Sequence, residues 1–208
     1  MTTGSEFPAE AFTKLDTSDD ADFYAAPRLV THIDDEAIAA LTGQFRDVLP
    51  AGGVLLDLMS SWVSHLPDDV AYAEVIGHGM NADELNANPR LGRRFIQDLN
   101  RDHRLPISDA SVDAATISVS IQYLQKPVAV LAELARVLRP GAPVVISFSN
   151  RCFPTKAVAI WRALRAEDQA RLVSLYLERA GFVDVQSASL RDGSDGDPLT
   201  VVCAVTPT

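Results

Sequence analysis

Residues 54–66 read VLLDLMSSWVSHL. The apolar run from Val54 ends at Asp57, and the serine-rich residues 60–67 suit the cap and first turns of a short helix. A strand that ends in an acid and turns into a helix is the opening unit of a doubly wound sheet. Such sheets bind ligands at the carboxyl ends of their strands. Glycine normally follows the acid, because it takes φ > 0 and lets a ligand approach the backbone. Here Met59, Ser60, Ser61 and Trp62 stand in those places.

The alternation continues on both sides of this stretch. Upstream, DDEAIAALTGQFRDVLP (34–50) spaces Ile38, Leu41, Phe45, Val48 and Leu49 as a helix does, with Asp34 or Asp35 as cap and Pro50 as stop. Downstream, strands are predicted at 71–79, 93–99, 112–120 and 142–150, and helices at 81–91, 127–140 and 167–181, the last ending at Gly181. Two closing strands, 184–190 and 199–205, flank the turn-rich RDGSDGDP and suit an antiparallel pair. The fold class is therefore α/β: a doubly wound, mostly parallel sheet with an antiparallel C-terminal edge hairpin. Residues 1–49 form an N-terminal extension with its own helix, polar and without periodicity over the first twenty residues, and 50–208 form the sheet domain.

The net charge of −10 argues against unassisted binding to nucleic acid or anionic membrane. The two cysteines lack metal-ligand spacing and the four histidines form no paired ligand motif, so no metal site is expected. No long apolar run or basic-then-apolar leader occurs, and the expected location is cytoplasmic. A homodimer and a monomer are both open. No GxGxxG follows the first strand and no GxSxG is present, which disfavours a nicotinamide dehydrogenase and a serine hydrolase.

The stretch 102–150, DHRLPISDASVDAATISVSIQYLQKPVAVLAELARVLRPGAPVVISFSN, is more specific. Leu105-Pro106, Asp109, Asp113 and the run Leu134, Arg136, Val137, Leu138, Pro140, Gly141 resemble the second half of a class I S-adenosylmethionine-dependent methyltransferase. Its Rossmann-like fold would span roughly residues 50–150 of the resemblance and extend to 208. LDLMSSWVSHLP in place of the glycine-rich motif, with GMNADELNANP and SNRCFPTKAVAIW, resembles a divergent branch of the same superfamily. The resemblance implies S-adenosyl-L-methionine as cofactor and a small-molecule acceptor.

It also implies roles. Asp57 would face the methionine amino group, with Met59, Ser60 and Ser61 in the glycine places. The serine hydroxyls and the N-terminus of the following helix would then receive the methionine carboxylate. The second strand ends on Gly79, where the family has an acid for the ribose hydroxyls; backbone from Gly79 and Met80 would pack on adenine, with Asn81, Asp83 or Glu84 as substitutes for the acid. Asp98, Leu99 and Asn100 would hold the adenine edge, and Ser118 would close the cofactor site from the fourth strand.

Methyl transfer from a sulfonium depends mainly on positioning and a dry pocket. Tyr123, His65 and Tyr24 are the candidate catalytic groups. Arg28 could clamp an anionic group, and Asn150, Arg151 and Phe153 would form a substrate wall. The segment carrying Tyr24, Arg28 and His32 would fold over the cofactor as a lid. The missing glycines and ribose acid leave two alternatives: use of the sulfonium in cyclisation or elimination, and a non-catalytic binding protein.

Overall fold

The computed structural model describes residues 7–208; the first six residues of the N-terminal extension lie outside the described residues. The strands are β1 (Val54–Asp57), β2 (Glu74–Gly79), β3 (Arg93–Ile96), β4 (Ala114–Ser118), β5 (Pro143–Phe148), β6 (Val183–Arg191) and β7 (Leu199–Val205). They form a seven-stranded sheet in the order β3-β2-β1-β4-β5-β7-β6. β1 to β5 run parallel, and β7 inserts antiparallel between β5 and β6. The expected antiparallel hairpin is thus present at the C-terminal edge. The helices are α1 (Asp20–Phe23), α2 (Asp35–Val48), α3 (Ala82–Ala87), α4 (Pro127–Val137), α5 (Ala159–Ala163) and α6 (Ala166–Arg179). None of them is long and apolar enough to cross a membrane.

Period-two alternation along the strands feeds two cores. Leu55, Val75, Ala114, Val145 and Val201 meet Leu41 and Phe45 of α2 on one face. Leu56, Ile76, Ala115, Ile146 and Val202 meet Leu134 of α4 and Val173 of α6 on the other. The caps follow the sequence: Asp34 accepts the Ala37 N–H at the start of α2, and Gly181 takes φ 94° after α6.

Two predicted helices are corrected. Residues 60–67 are an extended loop, so β1 and β2 are joined without a helix. The Met59 N–H is drawn to Nδ1 of His78 at 3.0 Å and the Ser60 N–H to the His78 carbonyl at 2.6 Å, so the first turn never closes. A segment this short, with serines, Val63 and a closing Pro67, has little helical propensity to resist that capture. The second correction is α3, which stops at Ala87 rather than reaching residue 91, because Asn88 precedes Pro89 and the residue before a proline is pushed out of helical geometry.

The N-terminal segment is pinned across the carboxyl ends of the strands. Lys156 is wholly buried and ion-pairs with Asp16 and Asp20, each at 3.2 Å, while also donating to the Ser18 carbonyl. Backbone bonds tie Asp16 to Thr155 and Thr13 to Ala159. Further along, Asn81 Nδ2 donates to the carbonyls of Tyr24 and Ala25, and Trp62 Nε1 to that of Val30. Removing the wholly buried side chain leaves a hole, takes the cation from Asp16 and leaves Asp20 with Lys14 as its one cation among the described residues, so Lys156→Ala is expected to lower stability by about 3 kcal/mol. Urea unfolding measures that loss, and limited proteolysis should then cut within residues 13–34 before the sheet domain.

Candidate functional site

A cavity of about 360 Å³ opens at the carboxyl ends of β1, β2, β3 and β4, where the strand order reverses between β1 and β4. This is the topological switch point at which doubly wound sheets bind ligands, and the volume lies in the small-molecule range. Of the residues singled out from the sequence, Tyr24, Arg28, Asp57, Met59, Ser60, Ser61, His65, Gly79, Met80, Asn81, Asp98, Leu99, Asn100, Ser118, Tyr123, Arg151 and Phe153 all line it. Asn150 does not. It borders a separate cavity with Trp161 and Pro198.

Asp57 is the centre of the site. It is 2% exposed; Oδ2 accepts from Ser60 Oγ at 2.6 Å and Oδ1 from Thr116 Oγ1 at 2.9 Å. Burial pushes its pKa up, opposed by the Ser60, Ser64 and Thr116 hydroxyls, and no cation pairs with it among the described residues. The serines therefore do not wait for an external carboxylate, as the sequence suggested. Ser60 is spent on Asp57, and Ser61 Oγ donates to Glu84 Oε2 at 2.6 Å. With no helix after β1, the expected helix N-terminus is also missing from this side of the cavity.

His78, in the interior of β2, holds the three strand ends together. Its Nδ1 accepts from Met59, which leaves Nε2 as the donor to the Gln97 carbonyl at 2.9 Å. Burial drops its pKa to about 4, so it is neutral. The loop it captures rests on Gly79, where a Cβ would come 2.7 Å from the Ser60 carbonyl oxygen.

Asn81 caps α3 through the Glu84 N–H and ties down the N-terminal segment, so its side chain is committed to protein partners. Asn100 is likewise committed, donating to Asp20 and the Tyr123 carbonyl and accepting from Gln125. Asp98 accepts the Asn100 N–H with one oxygen and lies 3.6 Å from Arg101 with the other. Over the cavity, the Arg28 guanidinium packs between the rings of Phe23, Tyr24 and Phe153 at 4.5, 5.7 and 5.3 Å.

The candidate catalytic groups differ in what they offer. Burial pushes the Tyr123 phenol up to about 12, and its oxygen accepts the Phe153 N–H. Burial also raises Tyr24, so both phenols keep their protons. His65 is held neutral, its pKa dropped to about 4 by burial and by the nearby His32. Its Nδ1 is buried without a partner among the described residues, as are the Oγ atoms of Ser118 and Ser120 in the same wall. Backbone strain gathers here too: Met59 (φ 59°), His65 (φ 55°) and the β-branched Val119 (φ 45°) all line the cavity. His78, Gln97, Val119 and Ser120 were not singled out from the sequence as binding residues. The signal for His78 was a polar residue inside an otherwise apolar strand.

The buried histidines make a pH prediction. Between pH 6.5 and about 4 the unfolded chain binds protons that His65 and His78 refuse when folded. Each then removes about 1.4 kcal/mol of stability per pH unit as pH falls. The raised Asp57 acts in the opposite sense above its unfolded pKa of 3.8, so the comparison is made between variants. His78→Asn, which keeps an acceptor for the Met59 N–H, should show a slope shallower by about one proton. Urea titrations from pH 4.5 to 7 would measure it.

Comparison with known proteins agrees with this geometry. Residues 61–146 match the family model of a methyltransferase domain. Over 56 residues the chain is 48% identical to the demethylmenaquinone methyltransferase of Mycobacterium sp. (strain KMS), a match covering 25% of this chain and 24% of that protein. The chain thus spans about a quarter of the length of the curated relatives it matches. Among solved structures it is similar to an S-adenosylmethionine-dependent methyltransferase from Aquifex aeolicus (TM-score 0.59, 17% identity, 89% of this chain and 96% of that one). It is also similar to phosphoethanolamine N-methyltransferase 2 of Haemonchus contortus in complex with S-adenosyl-L-methionine (TM-score 0.59, 13% identity, 82% and 52%). At these identities the structural likenesses establish the fold. The matched domain model covers residues 61–146, the stretch that carries β2 to β4, most of β5 and most of the cavity wall. Fold and partial sequence match thus both make this chain similar to methyltransferase domains.

Proposed function

We propose that the protein binds S-adenosyl-L-methionine and methylates a small-molecule acceptor in the cytoplasm, with the segment before α2 serving as a lid. The observation that carries this reading is Asp57: a buried carboxylate at the end of β1, ringed by hydroxyls, facing the cavity without a cation among the described residues. A buried carboxylate in that state is stabilised by an arriving cation, and the cofactor's amino group is one. The buried Oγ atoms of Ser118 and Ser120, unpartnered among the described residues, further suit a polar ligand.

When bound, the cofactor supplies an electrophilic methyl group on a sulfonium. The chain's residues have the remaining tasks. Asp57 orients the amino group, and Asp98 with the backbone of Leu99 holds the adenine edge. Gly79 and Met80 offer backbone to the ring face. Tyr24, Phe153 and Arg28 roof the chamber and exclude water, which suits a reaction governed by positioning. His65 is the group placed to accept the acceptor's proton, because it lines the cavity and has an unpartnered ring nitrogen among the described residues. Burial that drops its pKa to about 4 makes it a weak base, which suits a proton made acidic as the methyl group arrives. Arg28, Arg151 and Phe153 form the acceptor wall. The acidic surface and the enclosed cavity favour a metabolite over a nucleic acid.

Titration calorimetry with S-adenosyl-L-methionine and S-adenosylhomocysteine tests the reading, and no heat from either at millimolar concentration would sink it in favour of a non-catalytic binding protein. Asp57→Asn should weaken both by about tenfold or more, as expected for loss of a charge-assisted bond. His65→Gln should bind the cofactor within about twofold of the native protein and lose turnover by at least about a hundredfold, in the range of general-base removal. Methylthioadenosine accumulating without any acceptor would favour elimination or cyclisation instead.

A further inference from the structure

We propose that Glu84, delivered by α3 and aimed by Ser61, is the carboxylate that binds the ribose diol of the cofactor. The assignment rests on the cofactor-binding reading above and names the residue that completes it.

Gly79 cannot be exchanged for an acid in this backbone. A Cβ there would sit 2.7 Å from the Ser60 carbonyl oxygen, and Ser60 is itself tied by its N–H to the His78 carbonyl. The loop after β1 therefore occupies the space above the end of β2, and a diol-binding group must arrive from elsewhere. Among the described residues four carboxylates line the cavity: Asp20, Asp57, Glu84 and Asp98. Asp20 is saturated by Lys14, Lys156 and Asn100. Asp57 is enclosed by hydroxyls at the end of β1. Asp98 stands at the end of β3 beside Arg101.

Glu84 differs from Asp20 and Asp98 in having no cationic side chain paired to it among the described residues, and from Asp57 in standing on α3, beyond the end of β2 rather than of β1. It is 9% exposed. Its Oε2 accepts from Ser61 Oγ at 2.6 Å and its Oε1 from the Arg28 N–H at 2.7 Å. Each carboxylate oxygen accepts two hydrogen bonds, so one acceptor position remains on each. Two adjacent acceptors on a fixed carboxylate match the two adjacent O–H donors of a vicinal diol. Asn81 caps the Glu84 N–H, which sets the side chain one short step beyond the end of β2. Serine at 61 and glycine at 79 then form one arrangement: the glycine admits the loop, and the loop's serine aims the relocated acid.

The test uses 5′-methylthioadenosine, which has the ribose diol but no methionine amino or carboxylate group, and its 2′-deoxy analogue. The native protein should prefer the ribo compound by about tenfold, as for one charge-assisted hydrogen bond. Glu84→Gln should lose most of that preference, and Asp83→Asn, on the exposed side of α3, should retain it. Ser61→Ala keeps the acid and should also reduce the preference, which covers the case in which Glu84→Gln fails to fold. Undiminished preference in Glu84→Gln would overturn the assignment. So would a loss confined to S-adenosylhomocysteine, which would move Glu84 to the amino group. If the native protein binds none of these nucleosides, the cofactor reading fails and this assignment falls with it.

Discussion

The buried imidazole of His78 is the interaction on which the site depends. It accepts from the amide of Met59 and donates to the carbonyl of Gln97, so one side chain on β2 fixes the chain leaving β1 and the chain leaving β3. Each bond is worth only about 1 kcal/mol net, but an unmet partner buried at this depth costs about 1–3 kcal/mol. The strand ends are thereby held in register without the helix that usually covers this corner. The same capture presses the Ser60 carbonyl onto β2 and requires glycine at position 79.

That arrangement displaces strain into the cavity wall. Met59, His65 and Val119 take positive φ values at roughly 1–3 kcal/mol each, and all three border the cavity. Their backbones are held by long-range bonds, Met59 to His78, the His65 carbonyl to Thr42 and Val119 to the Ser147 carbonyl, with a local one from the Gln122 side-chain amide to the Val119 carbonyl. Strain supported from outside the site in this way keeps side chains where relaxation would move them.

Charge organises the roof. A chain with ten excess negative charges has surrounded its buried Lys156 with Asp16 and Asp20 and fixed its N-terminal segment there. The adjoining Phe23 ring sits 5.2 Å from the Lys156 ammonium and 4.5 Å from the Arg28 guanidinium. One apolar ring thus links the anchor to the residues overhead, and the acids that make the protein strongly anionic serve locally to hold a cationic, aromatic cover in place.

The sequence by itself determined the sheet and the address of the site. Period-two runs and helical spacing are local signals, and they marked every strand, the antiparallel ending and the long helices at α2, α4 and α6. Because ligands gather at strand ends, locating those ends brought most of the named residues to the cavity wall, Asp83 and Asn150 being the exceptions, while Tyr24 and Arg28 reach it from the N-terminal segment. Only the tertiary structure decided what those residues do. The helix expected after β1 was lost to a histidine nineteen residues away, and Ser60 and Ser61 were claimed by Asp57 and Glu84. Lys156 drew its acids from the other end of the chain. Apart from the local Ser60–Asp57 bond, the deciding contacts join groups remote in sequence, and local propensity, worth a few tenths of a kcal/mol per residue, carries no trace of such a partner.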